Sequence, residues 1–167
     1  MVRSTARYHL RKEINGVVHK KCTTCNEWCE IGRFSKNKLM GDGLQYQCKS
    51  CDSKQNRINA RRRYERMIAI SDEIKMFGCV RCGFDEEPCA VDFHHVDASQ
   101  KSNTVSRSYS SQKKWREEIL KCIPVCANCH RIITKYSDKM PDISQKHGEF
   151  RQYATAVFVR HGMIRPN

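Results

Sequence analysis

Four CxxC pairs punctuate this chain: Cys22 with Cys25, Cys48 with Cys51, Cys79 with Cys82, and Cys126 with Cys129. A CxxC turn sets two thiolates toward one point, and a second pair from a distant segment closes a tetrahedron around a metal ion. Taken in order, Cys22, Cys25, Cys48 and Cys51 form one set, and Cys79, Cys82, Cys126 and Cys129 form another. Each set suits a structural Zn2+, with metal binding coupled to folding by about 10 kcal/mol or more, as in zinc-finger peptides. Disulfides are the alternative use of eleven cysteines, and compartment decides between the two. The stretch MVRSTARYHLRKEINGVV is charged throughout and carries no signal-like apolar run, and no later segment approaches a membrane span. A reducing, cytoplasmic setting without membrane attachment is expected, which favours metal ligation. Cys29, Cys89 and Cys122 fall outside the pairs and read as small hydrophobes or bystanders. Of these, Cys122 is best placed to compete with Cys126.

At 167 residues the chain holds one or two domains, each near the size where an apolar core alone barely offsets chain entropy. Metal staples answer that problem. Formal charge is +13, with 31 Lys and Arg against 18 Asp and Glu, so a polyanion such as nucleic acid is the natural partner. Between the first two pairs, Gly41-Asp42-Gly43 reads as a turn joining short strands that end at Phe34 and start at Leu44. From Asp52 to about Phe77 the chain lacks Gly and Pro and predicts helix, with a break near Ser71-Asp72 where Ser71 caps a second segment. Lys54, Arg57, Arg61, Arg62, Arg63 and Arg66 lie on this helix; helical spacing aligns Lys54, Arg57 and Arg61, a face suited to tracking phosphates.

Residues 97–113 are polar and read as an exposed loop. Lys101, Arg107, Lys113, Lys114 and Arg116 form a second basic edge. A short helix is expected at 114–121 and another from His130, stopping at Pro141. The remaining tail carries one apolar patch, YATAVFV, suited to docking on the body. The expected organisation is a zinc finger over 1–56, a basic linker helix over 57–76, a second zinc-bearing core over 77–140 and a tail over 141–167, in an α+β chain.

Inside the second cysteine set lies VDFHHVD, and His130 directly follows Cys129. Closing that set draws the start of the last core helix toward the strand bearing Asp92, His94 and His95. On a strand, Asp92 and His94 share one face. His9, His19, His147 and His161 have no comparable context.

The sequence CVRCG, then VDFHHVD, Lys101 and EEILKCIPVCANCHR resembles the HNH endonuclease family, in its zinc-stabilised subgroup with a treble-clef-like ββα-metal core. The likeness covers Cys79 to Thr134, about a third of the chain. It implies a metal-dependent endonuclease that hydrolyses phosphodiester bonds of double-stranded DNA, leaving 5′-phosphate ends. By position, His95 is the general base, while His94 and His130 hold one catalytic divalent ion, Mg2+ or Mn2+ with other transition metals as substitutes. Asp92 approaches the ion or orients an imidazole. An imidazole with pKa near roughly 6.5 suits proton removal from water at neutral pH.

Two positions depart from the family pattern: Ala98 stands where Pro is frequent, and Lys121 where the middle Asn is expected. Asn128, inside the last knuckle, is a candidate substitute, and the residue that orients His95 stays unassigned by the resemblance. The segment HKKCTTCNEWCEIGRFSKNKLMGDGLQYQCKSC resembles the small zinc fingers ahead of HNH cores in phage and bacterial nucleases. A phage-type homing or free-standing nuclease is the leading expectation, working in the host cytoplasm. A short-site restriction endonuclease and a non-catalytic zinc-dependent nucleic-acid-binding protein are the alternatives. One active site per chain implies nicking by a monomer, with a homodimer or two successive events needed to cut both strands.

Overall fold

A computed structural model describes residues 10–105, 111–136 and 144–165. His9, Arg107 and the expected helix stop at Pro141 lie outside the described residues. The described chain is mixed α+β, with three small antiparallel sheets and four α-helices. It divides into two compact units, Met1–Arg62 and Arg63–Asn167. None of its described helices is long and apolar enough to cross a membrane.

In the first unit, β1 (Arg11–Ile14) and β2 (Val17–Lys21) form a hairpin through Asn15-Gly16, with φ of 52° and 76°. Two successive positive φ values match the twist of the flanking strands, and Asn-Gly supplies them at low cost. β3 (Trp28–Glu30) adds to the other edge of β2. β4 (Phe34–Lys36) pairs with β5 (Leu44–Cys48), so Phe34 opens its strand where the sequence had it closing one. The interior is small and partly ionic. Lys20 is buried; its Nζ donates to the carbonyls of Leu44 and Gln45 and pairs with Asp42 at 2.8 Å. Burial raises the Asp42 carboxyl, but Lys20, the Leu44 N–H and Arg11 together hold it well below the usual carboxylate range.

Helix α1 (Lys49–Lys75) begins directly after β5. It passes through Ser71-Asp72 without the expected break. Ser71 is buried on the helix flank, and with no Gly or Pro nearby the backbone has no local reason to stop. Every side chain from Ser53 to Arg66 is exposed.

In the second unit, Met67, Ile70 and Ile74 of α1 pack with Trp115 and Ile119 of α2 (Gln112–Ile119) and with Phe150, Ala154, Val157 and Phe158 of α4 (Ser144–Arg160). Full burial of such side chains contributes about 1.5–3 kcal/mol each. The expected tail is therefore a core helix in the structure. Its apolar residues recur at i, i+4, i+7 and i+8, a helical stripe that appears only when Phe150 is read together with YATAVFV. The end of α4 is pinned to α1: Tyr153 donates to the Glu73 carbonyl at 3.0 Å, and the His161 ring meets the Glu73 carboxylate at 2.6 Å.

A second, smaller cluster joins Cys79, Ile123, Val125, Cys129 and Ile133. It lies where β6 (Val91–His95), β7 (Cys122–Cys126) and α3 (Ala127–Lys135) meet. Here β6 pairs antiparallel with β7, His95 opposite Cys122 and Val91 opposite Cys126. At the end of α1, Gly78 has φ of 85°, and a Cβ there would stand 3.1 Å from the Asp85 Cβ. The chain can turn into the second knuckle at that point because no side chain obstructs it.

Candidate functional site

The four Sγ atoms of Cys22, Cys25, Cys48 and Cys51 all lie within 4.8 Å of one another, and so do those of Cys79, Cys82, Cys126 and Cys129. Zn–S bonds of about 2.3 Å in a tetrahedron require S···S edges of about 3.8 Å. Cys82 and Cys126 stand 3.7 Å apart. The first knuckle of each set is closed by a residue with positive φ directly after its second cysteine, Asn26 at 59° and Gly83 at 79°. The Asn26 N–H returns to the Cys22 carbonyl at 3.0 Å, and the Gly83 N–H to that of Cys79 at 2.8 Å.

Thiol chemistry agrees with cation binding. Burial pushes the Cys22 thiol up, but N–H groups including those of Cys25, Cys48 and Thr24 outweigh it and bring it down to about 6. Cys79 falls to about 7 by the same balance, with donors from Cys126, Cys82 and Arg81. Cys51, through its hydrogen bond with the Cys48 thiol and then burial, is pushed up to about 12. Burial followed by contact with the Cys126 thiol does the same to Cys129, to about 12. Crowded thiols resist a second negative charge, and a central dication removes that resistance. Each set can hold one structural Zn2+.

The unpaired cysteines differ from these. Cys29 is buried beside Cys25 and Glu27, and burial pushes its thiol up to about 11. Cys89 is exposed. Cys122 sits in the main core and donates to the Glu118 carbonyl at 3.2 Å. Its burial raises it to about 12, and it stands apart from the set that includes Cys126.

Beside the second set, strand alternation puts Asp92 and His94 on one face of β6 and His95 on the other. His130, in the first turn of α3, joins the first face. Its Nδ1 is 3.0 Å from Asp92 Oδ2, and its ring lies edge-on to His94 with centroids 5.1 Å apart. Burial, then the neighbouring His130 and His95, lowers the His94 pKa, which favours the neutral imidazole that metals bind. Among the described residues, the groups of three or more donors that converge on one point all contain cysteines. The Asp92, His94 and His130 donors do not converge in that way.

His95 faces a different partner. Its Nε2 lies 2.7 Å from Oε1 of Glu118, a residue only 2% exposed. The same oxygen accepts the N–H groups of Ser102 and Asn103, each at 3.0 Å, while Oε2 accepts Lys121 Nζ at 3.0 Å. Burial alone raises the Glu118 carboxyl; the Asn103 N–H, His95, Lys121 and the Ser102 N–H overcome it and lower it to about 2. Lys121 also donates to the Gln100 carbonyl and to Ser102 Oγ. Asn128 is exposed.

Sequence reasoning passed over Glu118. The available signal was a carboxylate on the apolar stripe Trp115, Glu118, Ile119 and Cys122, at i, i+3, i+4 and i+7, where an unpartnered charge is not tolerated.

Of the basic residues, Lys54, Arg57, Arg61, Arg62 and Arg63 are exposed along α1, and Lys101 is exposed in the loop after β6. Arg66 donates to the His161 carbonyl at 2.7 Å, at the end of α4. His147 and His161 are held by Leu120 O and Glu73, and His19 by Val17 O. Comparison of the chain with protein-family models, curated proteins and solved structures finds no match.

Proposed function

We propose that this protein is a metal-dependent DNA endonuclease of the HNH type, in which the second cysteine set supports a ββα-metal core. The observation that carries the reading is the meeting of Asp92, His94 and His130 where β6 faces the start of α3, one residue beyond a zinc-ligating cysteine. His94 and His130 are the residues that would hold a divalent ion, with Asp92 fixing the His130 ring; the bound ion supplies positive charge to a phosphate. Two imidazole ligands suit Mn2+ or a later transition metal at least as well as Mg2+.

His95 is the base in this reading. A water proton passes to its free ring nitrogen, the water oxygen bonds to phosphorus, the bond to the 3′ oxygen breaks, and solvent protonates the leaving oxygen. The exposed basic run on α1 supplies sequence-independent attraction to duplex phosphates. A homing or free-standing phage role is the leading biological setting. The non-catalytic alternative, a zinc protein that only binds nucleic acid, is favoured by one observation: the histidine-face donors do not converge as the thiols do.

Supercoiled plasmid incubated with wild type and His95→Ala in Mg2+ and then Mn2+ decides between them. The expected outcome is nicking by wild type and a loss of about 10²-fold or more in His95→Ala, with duplex binding retained by both. Inactivity of wild type in every divalent ion, with zinc bound and DNA binding intact, would leave the binding protein as the answer.

A further inference from the structure

The nuclease reading leaves one strongly held group without a role, the buried Glu118 carboxylate between His95 and the loop that follows β6. The ring N–H of a half-buried histidine needs only one acceptor to be satisfied. Glu118 does more than that. Its Oε1 collects His95 Nε2 and two successive backbone N–H groups, and its Oε2 is neutralised by Lys121. Consecutive amide N–H groups aimed at one oxygen form an anion nest, so this loop is folded around the carboxylate.

We propose that Glu118 is the positioning residue of His95: it takes the Nε2 proton in a hydrogen bond, fixes the ring plane, and leaves Nδ1 as the nitrogen that accepts a proton. The argument rests on donor and acceptor inventory. An ionised carboxylate only accepts, so the 2.7 Å contact requires hydrogen on Nε2. In the neutral ring the lone pair is then on Nδ1. His95 has little freedom to choose otherwise, because its side chain is 10% exposed and that of Glu118 is 3% exposed.

Lys121, which occupies the place expected for an orienting Asn, acts one step further back. It holds Glu118 and ties the carboxylate to Gln100 and Ser102. One carboxylate therefore sets both the ring of His95 and the loop bearing Lys101. The catalytic consequence depends on the nuclease reading; the tautomer assignment does not.

Two measurements on the full-length, zinc-loaded protein test this. Nitrogen-15 NMR of histidine-labelled wild type reads which ring nitrogen carries hydrogen, with the His95 signals assigned by their loss in His95→Ala. An Nε2–H ring is expected for His95, and an Nδ1–H ring would overturn the proposal. In plasmid cleavage, Glu118→Gln keeps the side-chain shape and one accepting oxygen but loses the charge. Its kcat should fall about 10- to 100-fold, the usual scale for losing a partner that orients an active-site imidazole, with KM within about twofold.

Zinc content and melting temperature separate this effect from unfolding. If Glu118→Gln is folded and its kcat is unchanged, the positioning role is wrong. If it fails to fold, the wild-type tautomer decides. Should wild type cut nothing, the nuclease reading falls while the tautomer still decides what Glu118 does to His95.

Discussion

The two cysteine sets are built by the same local steps. In each, a CxxC turn ends on a residue with positive φ, an antiparallel strand pair follows, and its second strand closes on a cysteine that runs directly into a helix. Phe34 opposite Cys48 corresponds to Val91 opposite Cys126. The residue after the last cysteine is Asp52 in the first unit and His130 in the second.

From that point the units diverge. Among the described residues of the first unit no imidazole joins the donors that converge on its metal set, and its helix continues with fourteen consecutive exposed positions, 53–66. The second turns its strand and helix toward each other through Asp92, His94 and His130. Metal scaffolding is thus indifferent to what it supports, and the chemistry comes from a few side chains set on it.

The interiors differ as much as the surfaces. The buried cluster of the first unit is Cys22, Cys29, Phe34 and Cys48, with Lys20 buried as well. The second unit has a large apolar cluster that contains none of the four cysteines of its candidate metal set. Chelating zinc under reducing conditions therefore has its largest effect on the first unit, removing about 10 kcal/mol of metal-linked folding energy. Hydrogen exchange should show residues 10–52 losing protection while Phe150–Phe158 keep theirs. Equal loss in both would erase the distinction.

A smaller effect comes from Asp42→Asn, which leaves Lys20 charged and buried without its partner and costs the first unit about 3 kcal/mol. The pH dependence has a definite sign. A carboxyl held below its ordinary value of 3.8 contributes fully above that value and loses its contribution only as pH falls through the depressed one. The stability gap between wild type and Asp42→Asn should therefore stay constant from about pH 8 to about pH 5, read from denaturant melts; a gap that closes across this range would show that Asp42 is not held as an ion.

The mildest change is double reversal, Arg61→Glu with Arg62→Glu. Duplex affinity should fall, and the slope of log K against log salt should shrink by about 2. Alanine at His130 should leave that slope alone. A slope insensitive to the double reversal would remove α1 from the DNA-binding surface.

Much of this organisation was legible because metal ligation is written in spacing. The eight cysteines of the four pairs, taken in order, are the ones that converge in fours, and the apposition of His130 with the VDFHHVD strand follows from closing the second set. Glu118 was hidden because its partners come from the preceding strand β6, the loop after it and the turn before β7; only its place on an apolar stripe marked it. The opposed faces of His94 and His95 were implied by strand alternation, but nothing in the alternation pointed to Glu118 as the partner of His95. Helix α4 was obscured because YATAVFV, read alone, has a continuous apolar character, and its stripe needs Phe150 one turn earlier. The uninterrupted run of α1 through Ser71 reflects tertiary packing of Ile70 and Ile74, which local capping rules do not see.

Cys126 ends β7, contributes a thiol to the metal set, and accepts the Cys129 N–H at 3.5 Å to start α3. Distance along the chain therefore becomes an angle. Each residue of a helix advances about 100° around its axis, so the interval from Cys126 to His130 works like a setting on a dial. One residue inserted there would leave composition and charge almost unchanged yet swing the imidazole to another side of the helix, away from Asp92. The described part of the loop between β6 and α2 is anchored by Ser102 and Asn103 on Glu118 and by the buried Val105, not by its place on a helix. Length variation among chains of this design is expected in that loop, and none between the last knuckle and its histidine.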